Sequence, residues 1–219
     1  MLQEVNINIK QSIWQGIHFN VIYCDCPWKY SFQRIQKNGG CTYPTMSTKE
    51  LCDLPIAQIA AKDSVLFQWA TWPKLKEAIE VMEAWGFTYK TNGFIWVKTN
   101  KKNNQWYSGT GSYTNGNTEV CLIGTKGKCL KRTSKSVKQV IVAPIGKHSA
   151  KPLEVRHRIE QLYGNLPRIE LFARQTALGW VSVGNEIDDQ DIRDALATII
   201  NKIEQNSSKT TQFNTKKSA

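Results

Sequence analysis

The sequence contains no stretch of about 20 consecutive apolar residues, the length that a helix needs to span a bilayer. Its first residues, MLQEVNINIK, lack the apolar core segment of a secretory signal peptide. Two common nucleotide-binding patterns, GxGxxG and GxxxxGK(S/T), are also missing. These absences predict a soluble cytoplasmic protein with no membrane association, and they exclude the usual dinucleotide and P-loop sites.

Metal-binding and disulfide patterns are equally scarce. The chain has six cysteines but no CxxC pair, and its three histidines do not have the spacing of metal ligands. We therefore predict no metal site and no disulfide framework, as in a reducing cytosol. Cys24 and Cys121 lie in apolar runs and are expected to be small core residues.

The sequence has fewer acidic than basic residues. The 219-residue chain has 29 Lys and Arg against 18 Asp and Glu, a formal net charge of +11. Between Lys126 and Arg174 there are 12 basic residues and three acids. A solvated basic face is one explanation, but the aromatic-rich loop just before this segment favours a nucleic-acid partner. In the Ser-rich stretch that follows Lys126, Lys131 and Arg132 are candidate contacts to phosphates.

Short apolar runs alternate with helix-length amphipathic stretches, which predicts an α/β domain on a mostly parallel sheet. Strands are predicted at 19–25, 65–70, 94–97, 120–124, 140–142, 168–172 and 181–183. Helices are predicted at 47–60, 73–85, 152–163 and 188–204. We expect a catalytic domain over 1–187, an amphipathic helix over 188–206 that packs on the domain or on a partner, and a disordered polar tail over 207–219.

The run Asp25-Cys26-Pro27-Trp28 directly follows a predicted apolar strand. The exocyclic amine of a nucleobase is a poor nucleophile, and two acceptors on its N–H bonds can direct its lone pair. The Asp25 carboxylate and the Cys26 carbonyl suit this task, since Pro27 restricts the backbone of Cys26. Trp28 offers a flat face for a base. The alternative is a structural turn with a buried Trp.

Other polar residues also follow predicted strands or precede helices, where ligands of open α/β sheets bind. Acids and amides there suit ribose hydroxyls, and free backbone N–H groups at a helix start suit a carboxylate. The candidates for such a cofactor site are His148, Ser149, Lys151, Glu170, Phe172, Arg174, Asn185 and Glu186.

Taken together, the motifs VIYCDCPW, YPTMS, FQWAT, GFIWVKTN, TEVCLIGTKG, HSAKP and RIELFARQ…GWVSVGNE resemble a known family. It is the N6-adenine methyltransferase family that contains the catalytic subunit of the eukaryotic messenger-RNA adenosine methyltransferase, together with small phage and bacterial enzymes. The resemblance implies a Rossmann-like fold that uses S-adenosylmethionine, with a circularly permuted motif order. The chain departs from the family at Cys26, where proline is usual, and at Glu186, where glutamine is common.

By this resemblance, Asp25 and the Cys26 carbonyl hold the target amine, and Trp28 packs near the base. Tyr43 matches a tyrosine of the catalytic loop, and Glu119 an acid near the active site. Cofactor contacts fall on Lys151 for the carboxylate and, for ribose and methionine, on Arg174, Asn185 and Glu186.

The expected reaction is direct methyl transfer from S-adenosylmethionine to adenine N6, with no covalent nucleophile. A base in a duplex must leave the stack to react, and Trp106 and Tyr113 are candidates to stabilise that state. A compact chain without zinc-finger modules or Arg/Gly-rich tails favours DNA and a bacterial or phage-infected cell. RNA methylation and a non-catalytic nucleic-acid-binding subunit are the alternatives, and a homo- or heterodimer is compatible with the sequence.

Overall fold

The computed structural model of the protein describes residues 14, 16–30, 44–109, 111, 113–146, 150–187 and 189–216, with side chains as far as residue 209. Three predicted site residues, Tyr43, His148 and Ser149, lie outside the described residues. In the part described, no helix is both long and apolar enough to cross a membrane.

The described strands are β1 (Phe19–Asp25), β2 (Ala60–Ala70), β3 (Thr88–Thr99), β4 (Thr118–Lys126), β5 (Val140–Pro144), β6 (Arg168–Leu171) and β7 (Val181–Val183). They form one seven-stranded sheet in the order β5-β3-β4-β2-β1-β6-β7. Only β4 pairs antiparallel with its neighbours, so the other six strands share one direction. The predicted α/β fold on a mostly parallel sheet is confirmed.

The described helices are α1 (Thr48–Cys52), α2 (Ile56–Ile59), α3 (Leu75–Ala84), α4 (Glu154–Tyr163) and α5 (Ile192–Lys216), with a short 3₁₀ turn at Trp72–Lys74 before α3. Alternate residues of β1 face two separate cores, as expected for a strand covered on both sides. Ile22 and Cys24 belong to the core beneath α1, α2, α3 and α5. Val21 and Tyr23 belong to the core beneath α4.

Two helices differ from the predicted bounds by more than two residues. The predicted helix 47–60 is split into α1 and α2, because Pro55 supplies no N–H group and restricts Leu54 before it. The last helix begins at Ile192 rather than at residue 188, because the Asp191 carboxylate accepts a hydrogen bond from the Arg193 N–H at 2.8 Å. Its backbone remains helical to Lys216, since neither glycine nor proline follows Glu204 to stop it.

The strands β2, β3 and β4 are longer than predicted. β3 pairs with β4 from Thr88 to Val97, and its first residues are exposed and polar. Hydropathy predicted only the buried part of the strand. The antiparallel pairing extends into polar sequence, because its hydrogen bonds are made by backbone groups and not by side chains. The predicted core positions Cys24 and Cys121 are both fully buried, which confirms that expectation.

Candidate functional site

The carboxyl ends of β1, β2, β6 and β7 and the start of the reversed strand β4 meet at one edge of the sheet. A cleft of about 800 Å³ lies at this edge, a volume typical of small-ligand sites. Its lining includes Asp25, Cys26, Pro27, Trp28, Tyr30, Thr71, Glu119, Lys151, Phe172, Ala173, Arg174, Asn185 and Glu186. Most residues that the sequence selected are therefore brought together, although they span more than 160 positions of the chain.

A tight turn presents the first four of these residues. The Cys26 carbonyl accepts a hydrogen bond from the Trp28 N–H at 2.9 Å, and the Pro27 carbonyl accepts one from the Met46 N–H at 2.8 Å. Met46 in turn accepts the Lys29 N–H at 3.0 Å. The turn is thus clamped by the segment before α1. Since a carbonyl oxygen has two lone pairs, Cys26 can still accept a second donor from a ligand.

The Cys26 side chain is turned inward. It is only 4% exposed, and its Sγ lies 3.9 Å from the Sγ of Cys24. Trp28 is also largely buried, at 7% exposure, and its indole Nε1 donates to the Trp69 carbonyl at 3.4 Å. The cysteine therefore contributes its backbone to the cleft, whereas Trp28 contributes the small exposed part of a fixed ring.

Four charged side chains form a chain of ion pairs at the base of the cleft. Lys151 Nζ lies 2.6 Å from Asp25 Oδ2 and 3.3 Å from Glu119 Oε2. Lys98 Nζ lies 2.6 Å from Glu119 Oε1. Two carboxylates and two ammonium groups balance one another, which is the arrangement that a partly buried ionic site requires.

This environment changes the proton affinities of the two central groups. Burial raises the pKa of Asp25 above its ordinary value, and the nearby Lys151 ammonium only partly opposes this. Burial disfavours the charge of Lys151, yet the Asp25 and Glu119 carboxylates raise the pKa of Lys151 above its usual range. Lys151 therefore stays protonated at neutral pH and fixes the Asp25 carboxylate through Oδ2.

The opposite wall follows β6 and β7. Phe172 has a φ of +58°, an unusual value for a non-glycine residue. A Cβ atom on Gly184 would lie 2.4 Å from the Ala173 carbonyl oxygen, so only glycine allows these two strand ends to touch. Beyond them, Arg174 Nε lies 3.6 Å from Glu186 Oε1. The wall offers a guanidinium, a carboxylate and the Asn185 amide to a ligand.

Glu170 is a correction. The structure places its carboxylate outside the cleft, where Arg156 donates to it at 2.6 and 2.9 Å. Burial raises the pKa of Glu170, and the Arg156 ion pair opposes that shift. Side chains alternate along β6, so Glu170 faces α4 whereas the cleft is formed by residues after the strand. Glu170 is thus paired with Arg156 and does not line the cleft, against its selection as a cofactor contact.

The basic loop lies far from the cleft, and its contacts with phosphates stay a prediction. β4 ends at Lys126, which pairs with Ser64 near the start of β2, whereas the cleft lies beyond Ala70 at its other end. Six residues of strand separate the two edges by about 20 Å. Farther along the loop, the Thr133 N–H donates to the Leu162 carbonyl at the end of α4 at 2.7 Å. The exposed residues Lys131 and Arg132 therefore lie away from the cleft.

Trp106 and Tyr113 belong to the loop that joins β3 to β4 at the cleft edge. They are 62% and 100% exposed, and neither lines the cleft. Sequence reasoning missed Lys98, Tyr30 and Thr71. The sequence did indicate a role for Lys98, because a cation directly after the apolar run of β3 suggests a buried acidic partner. It could not identify Glu119 as that partner.

Comparison with known proteins shows which family the chain resembles. The MT-A70 family model matches residues 19–186. Over 193 residues the chain is 35% identical to the type II methyltransferase M.MunI of a Mycoplasma species, and the match covers 80% of each chain. It is 31% identical over 175 residues to the human N(6)-adenosine-methyltransferase catalytic subunit METTL3, covering 78% of this chain and 28% of that protein.

A probable N(6)-adenosine-methyltransferase of Oryza sativa is 32% identical over 173 residues, which cover 78% of this chain and 23% of that protein. The match to the family model includes the Asp25–Trp28 turn, the ion-pair chain and the wall after β6. The resemblance inferred from the motifs is thereby confirmed, and the chain belongs to the MT-A70 family.

Proposed function

We propose that the protein transfers a methyl group from S-adenosylmethionine to the N6 amine of adenine in DNA. The observation that carries the proposal is the clamped Asp25–Trp28 turn, which lies in the same cleft as a wall of polar ligands after β6 and β7. An acceptor pair for an amine and a site for a polar cofactor within one cleft are what this reaction requires.

The residues of the wall, together with Lys151 of the ion-pair chain, fit S-adenosylmethionine. Arg174 and Lys151 are cations suited to its carboxylate, and Glu186 with Asn185 suits its ribose hydroxyls. The close contact between Gly184 and Ala173, which a Cβ at residue 184 would disrupt, sets the position of the backbone in this wall. When bound, the cofactor supplies an electrophilic methyl group on a sulfonium, so the protein has to provide alignment and a site shielded from water.

Asp25 is proposed to accept one N–H of the adenine amine. Lys151 donates a hydrogen bond to Oδ2 of Asp25. Within the described residues, Oδ1 is therefore the oxygen proposed to accept the substrate N–H. Burial makes this carboxylate a stronger proton acceptor than an ordinary Asp. With the Cys26 carbonyl on the second N–H, the two acceptors orient the lone pair of N6 toward the methyl group.

DNA is favoured over RNA by the extent of the matches. The similarity to the type II methyltransferase covers 80% of both chains, whereas the messenger-RNA-type relative METTL3 is matched over 28% of its length. Methylation of adenosine in RNA is the second candidate, supported by the 31% identity to METTL3.

The test is an assay with S-adenosylmethionine carrying a labelled methyl group, supplied with matched DNA and RNA, followed by nucleoside analysis. We expect N6-methyladenine in DNA, and none from the Asp25→Asn variant. Asp53→Asn, which changes an exposed carboxylate, is the control and should keep wild-type activity. Label in RNA alone would establish the second candidate, and label at any position other than adenine N6 would refute the proposal.

A further inference from the structure

An exposed tryptophan lies at the rim of the cleft with its ring held in place. Trp72 is 48% exposed, yet its indole Nε1 donates a hydrogen bond to Thr118 Oγ1 at 2.8 Å. It begins the 3₁₀ turn before α3, and the next residue, Pro73, restricts the backbone. A ring that is fixed before binding loses little conformational entropy when it meets a ligand.

The position of this ring relates it to the site. Trp72 and Thr118 each directly adjoin a residue that lines the cleft, namely Thr71 at the end of β2 and Glu119 at the start of β4. Trp72 itself lies just outside the lining. On the inner side, Tyr30 lines the cleft, and its hydroxyl lies 2.7 Å from Thr71 Oγ1. Two aromatic rings therefore attach to the 71–72 segment, one within the cleft and one beyond it.

The charges near this rim suit a polyanion. Lys29 follows the Asp25–Trp28 turn, and Lys101 and Lys102 follow β3 at the same edge of the sheet; all three are exposed. A single exposed indole at the same sheet edge as these lysines gives too little apolar area for a stable protein interface. It matches the way single-stranded nucleic acid is bound, with bases stacked on aromatic rings and phosphates near cations.

We propose that Trp72 stacks on the nucleobase next to the target adenine, with Tyr30 facing the target inside the cleft. The inference rests on the proposed function, because that function places the target base in the cleft. Once the target has left its stack, its neighbour loses a stacking partner. The fixed indole replaces that partner and holds the strand while the amine is positioned at Asp25.

The test compares Trp72→Ala with Trp72→Phe, which keeps an aromatic face, and with Thr118→Val, which removes the acceptor of the indole hydrogen bond. We expect Trp72→Ala to raise KM for the oligonucleotide about tenfold to a hundredfold, with kcat within about twofold. Trp72→Phe should restore most of the affinity. The control is Tyr89→Ala, another exposed aromatic, located at the opposite edge of the sheet.

A second readout does not depend on methylation. An oligonucleotide with 2-aminopurine beside the target adenine should lose fluorescence on binding the wild type, because its base stacks on the indole, and should keep it with Trp72→Ala. Calorimetry with S-adenosylmethionine should give the same Kd for both proteins, which excludes misfolding. Equal KM and equal fluorescence for wild type and Trp72→Ala would overturn the inference. If the wild type methylates no adenine, the proposed function fails, and the fluorescence still decides the role of Trp72.

Discussion

At the scale of the residue, the site depends on how the Asp25 carboxylate is held by a buried ammonium group. Asp25 keeps 28% of its side chain exposed to the cleft, while Lys151 and Glu119 beneath it are about one-tenth exposed. Lys98 forms the other end of this chain of ion pairs. Removal of one member leaves the others with an unbalanced charge, so single substitutions here should have specific effects.

Asp25→Asn should lower the rate of methyl transfer by at least about a thousandfold, which corresponds to roughly 4 kcal/mol of barrier. The amide oxygen is a weaker acceptor, and its NH₂ group repels the amine N–H. Glu119 still pairs with Lys151, so the Kd for S-adenosylmethionine should change less than about threefold. Single-turnover kinetics and calorimetry measure the two effects, and a turnover near that of the wild type would remove Asp25 from the mechanism.

The pH dependence follows from the raised pKa of Asp25. Because burial moves the pKa of this carboxyl above its ordinary value of 3.8, ionisation is delayed, and activity should rise as pH passes the shifted value. As pH rises between the ordinary pKa and the raised pKa, the folded state loses stability, because Asp25 is already ionised in the unfolded chain but still protonated in the folded one. Lys151 lowers this pKa, so Lys151→Met should move the acidic limb of kcat to higher pH.

Lys151→Arg is the matched control for that shift, because it keeps the positive charge. Its acidic limb should stay close to that of the wild type, even if cofactor affinity changes in both variants. The measurement is kcat against pH at saturating cofactor and DNA. An acidic limb that is the same in Lys151→Met and in the wild type would show that Asp25 is not the titrating group.

At the scale of the element, the sheet separates two basic loops. The loop after β3 leaves the sheet at the cleft edge, whereas the loop after β4 begins at the opposite edge. The direction of β4 causes this difference, since it is the strand that runs against the other six. From composition alone, the loop after β4 was the better candidate for phosphate contacts. The sheet topology instead favours the loop after β3, because that loop lies at the cleft edge.

Replacement of both Lys101 and Lys102 with Gln should weaken DNA binding and flatten the plot of log affinity against log salt, by roughly 0.9 unit for each phosphate that the variant no longer neutralises. Replacement of Lys131, Arg132, Lys135 and Lys138 with Gln removes more charge from the other loop. That variant should nevertheless keep the wild-type slope to within about 0.9 unit. Binding titrations at several salt concentrations measure both slopes. A larger change of slope in the variant of the loop after β4 would show that DNA contacts the far edge of the domain.

The wall after β6 depends on one close backbone contact. Gly184→Ala should weaken binding of S-adenosylmethionine at least about tenfold, or roughly 1.4 kcal/mol, because the new Cβ would meet the Ala173 backbone. Gly116→Ala is the control, since a Cβ there meets nothing within 4 Å. Calorimetry should show a normal Kd for Gly116→Ala, and an equally normal Kd for Gly184→Ala would place the cofactor elsewhere.

At the scale of the whole molecule, α5 closes the larger core. Its buried residues Ile192, Leu196 and Ile203 pack with the residues of α2 and β1. At its start, Arg193 and Asp191 form part of the lining of the cleft, and Arg193 lies 3.3 Å from Glu50 of α1. The same helix therefore packs in the larger core and contributes a residue to the cleft lining. The division of the chain at residues 187 and 206 stays a prediction.

Leu196→Ala should lower the free energy of unfolding by about 2–5 kcal/mol, because it removes methyl groups from a fully buried position. Lys202→Ala on the exposed side of α5 should change it by less than about 0.5 kcal/mol. Urea denaturation followed by circular dichroism measures both. Equal midpoints for the two variants would mean that α5 is not part of the cooperative fold.

Much of the site was already determined by local sequence. Asp25, Pro27 and Trp28 were recognised because a strand followed by an acid and a proline turn is a local pattern. Arg174 and Asn185 were recognised because ligands bind beyond the ends of parallel strands. The α/β class followed from alternating apolar and amphipathic segments, since hydrophobic periodicity is decided within each segment.

Only the tertiary structure decided which distant groups meet. It paired Lys98 with Glu119 and Lys151 with Asp25, placed Glu170 against Arg156, and fixed Trp72 to Thr118. The sequence could not reveal these pairs, because a side chain's partner depends on strand order and direction rather than on its neighbours in the chain. The reversal of β4 is the clearest case: it is set by pairing with β2 and β3, and it determines which loops reach the cleft.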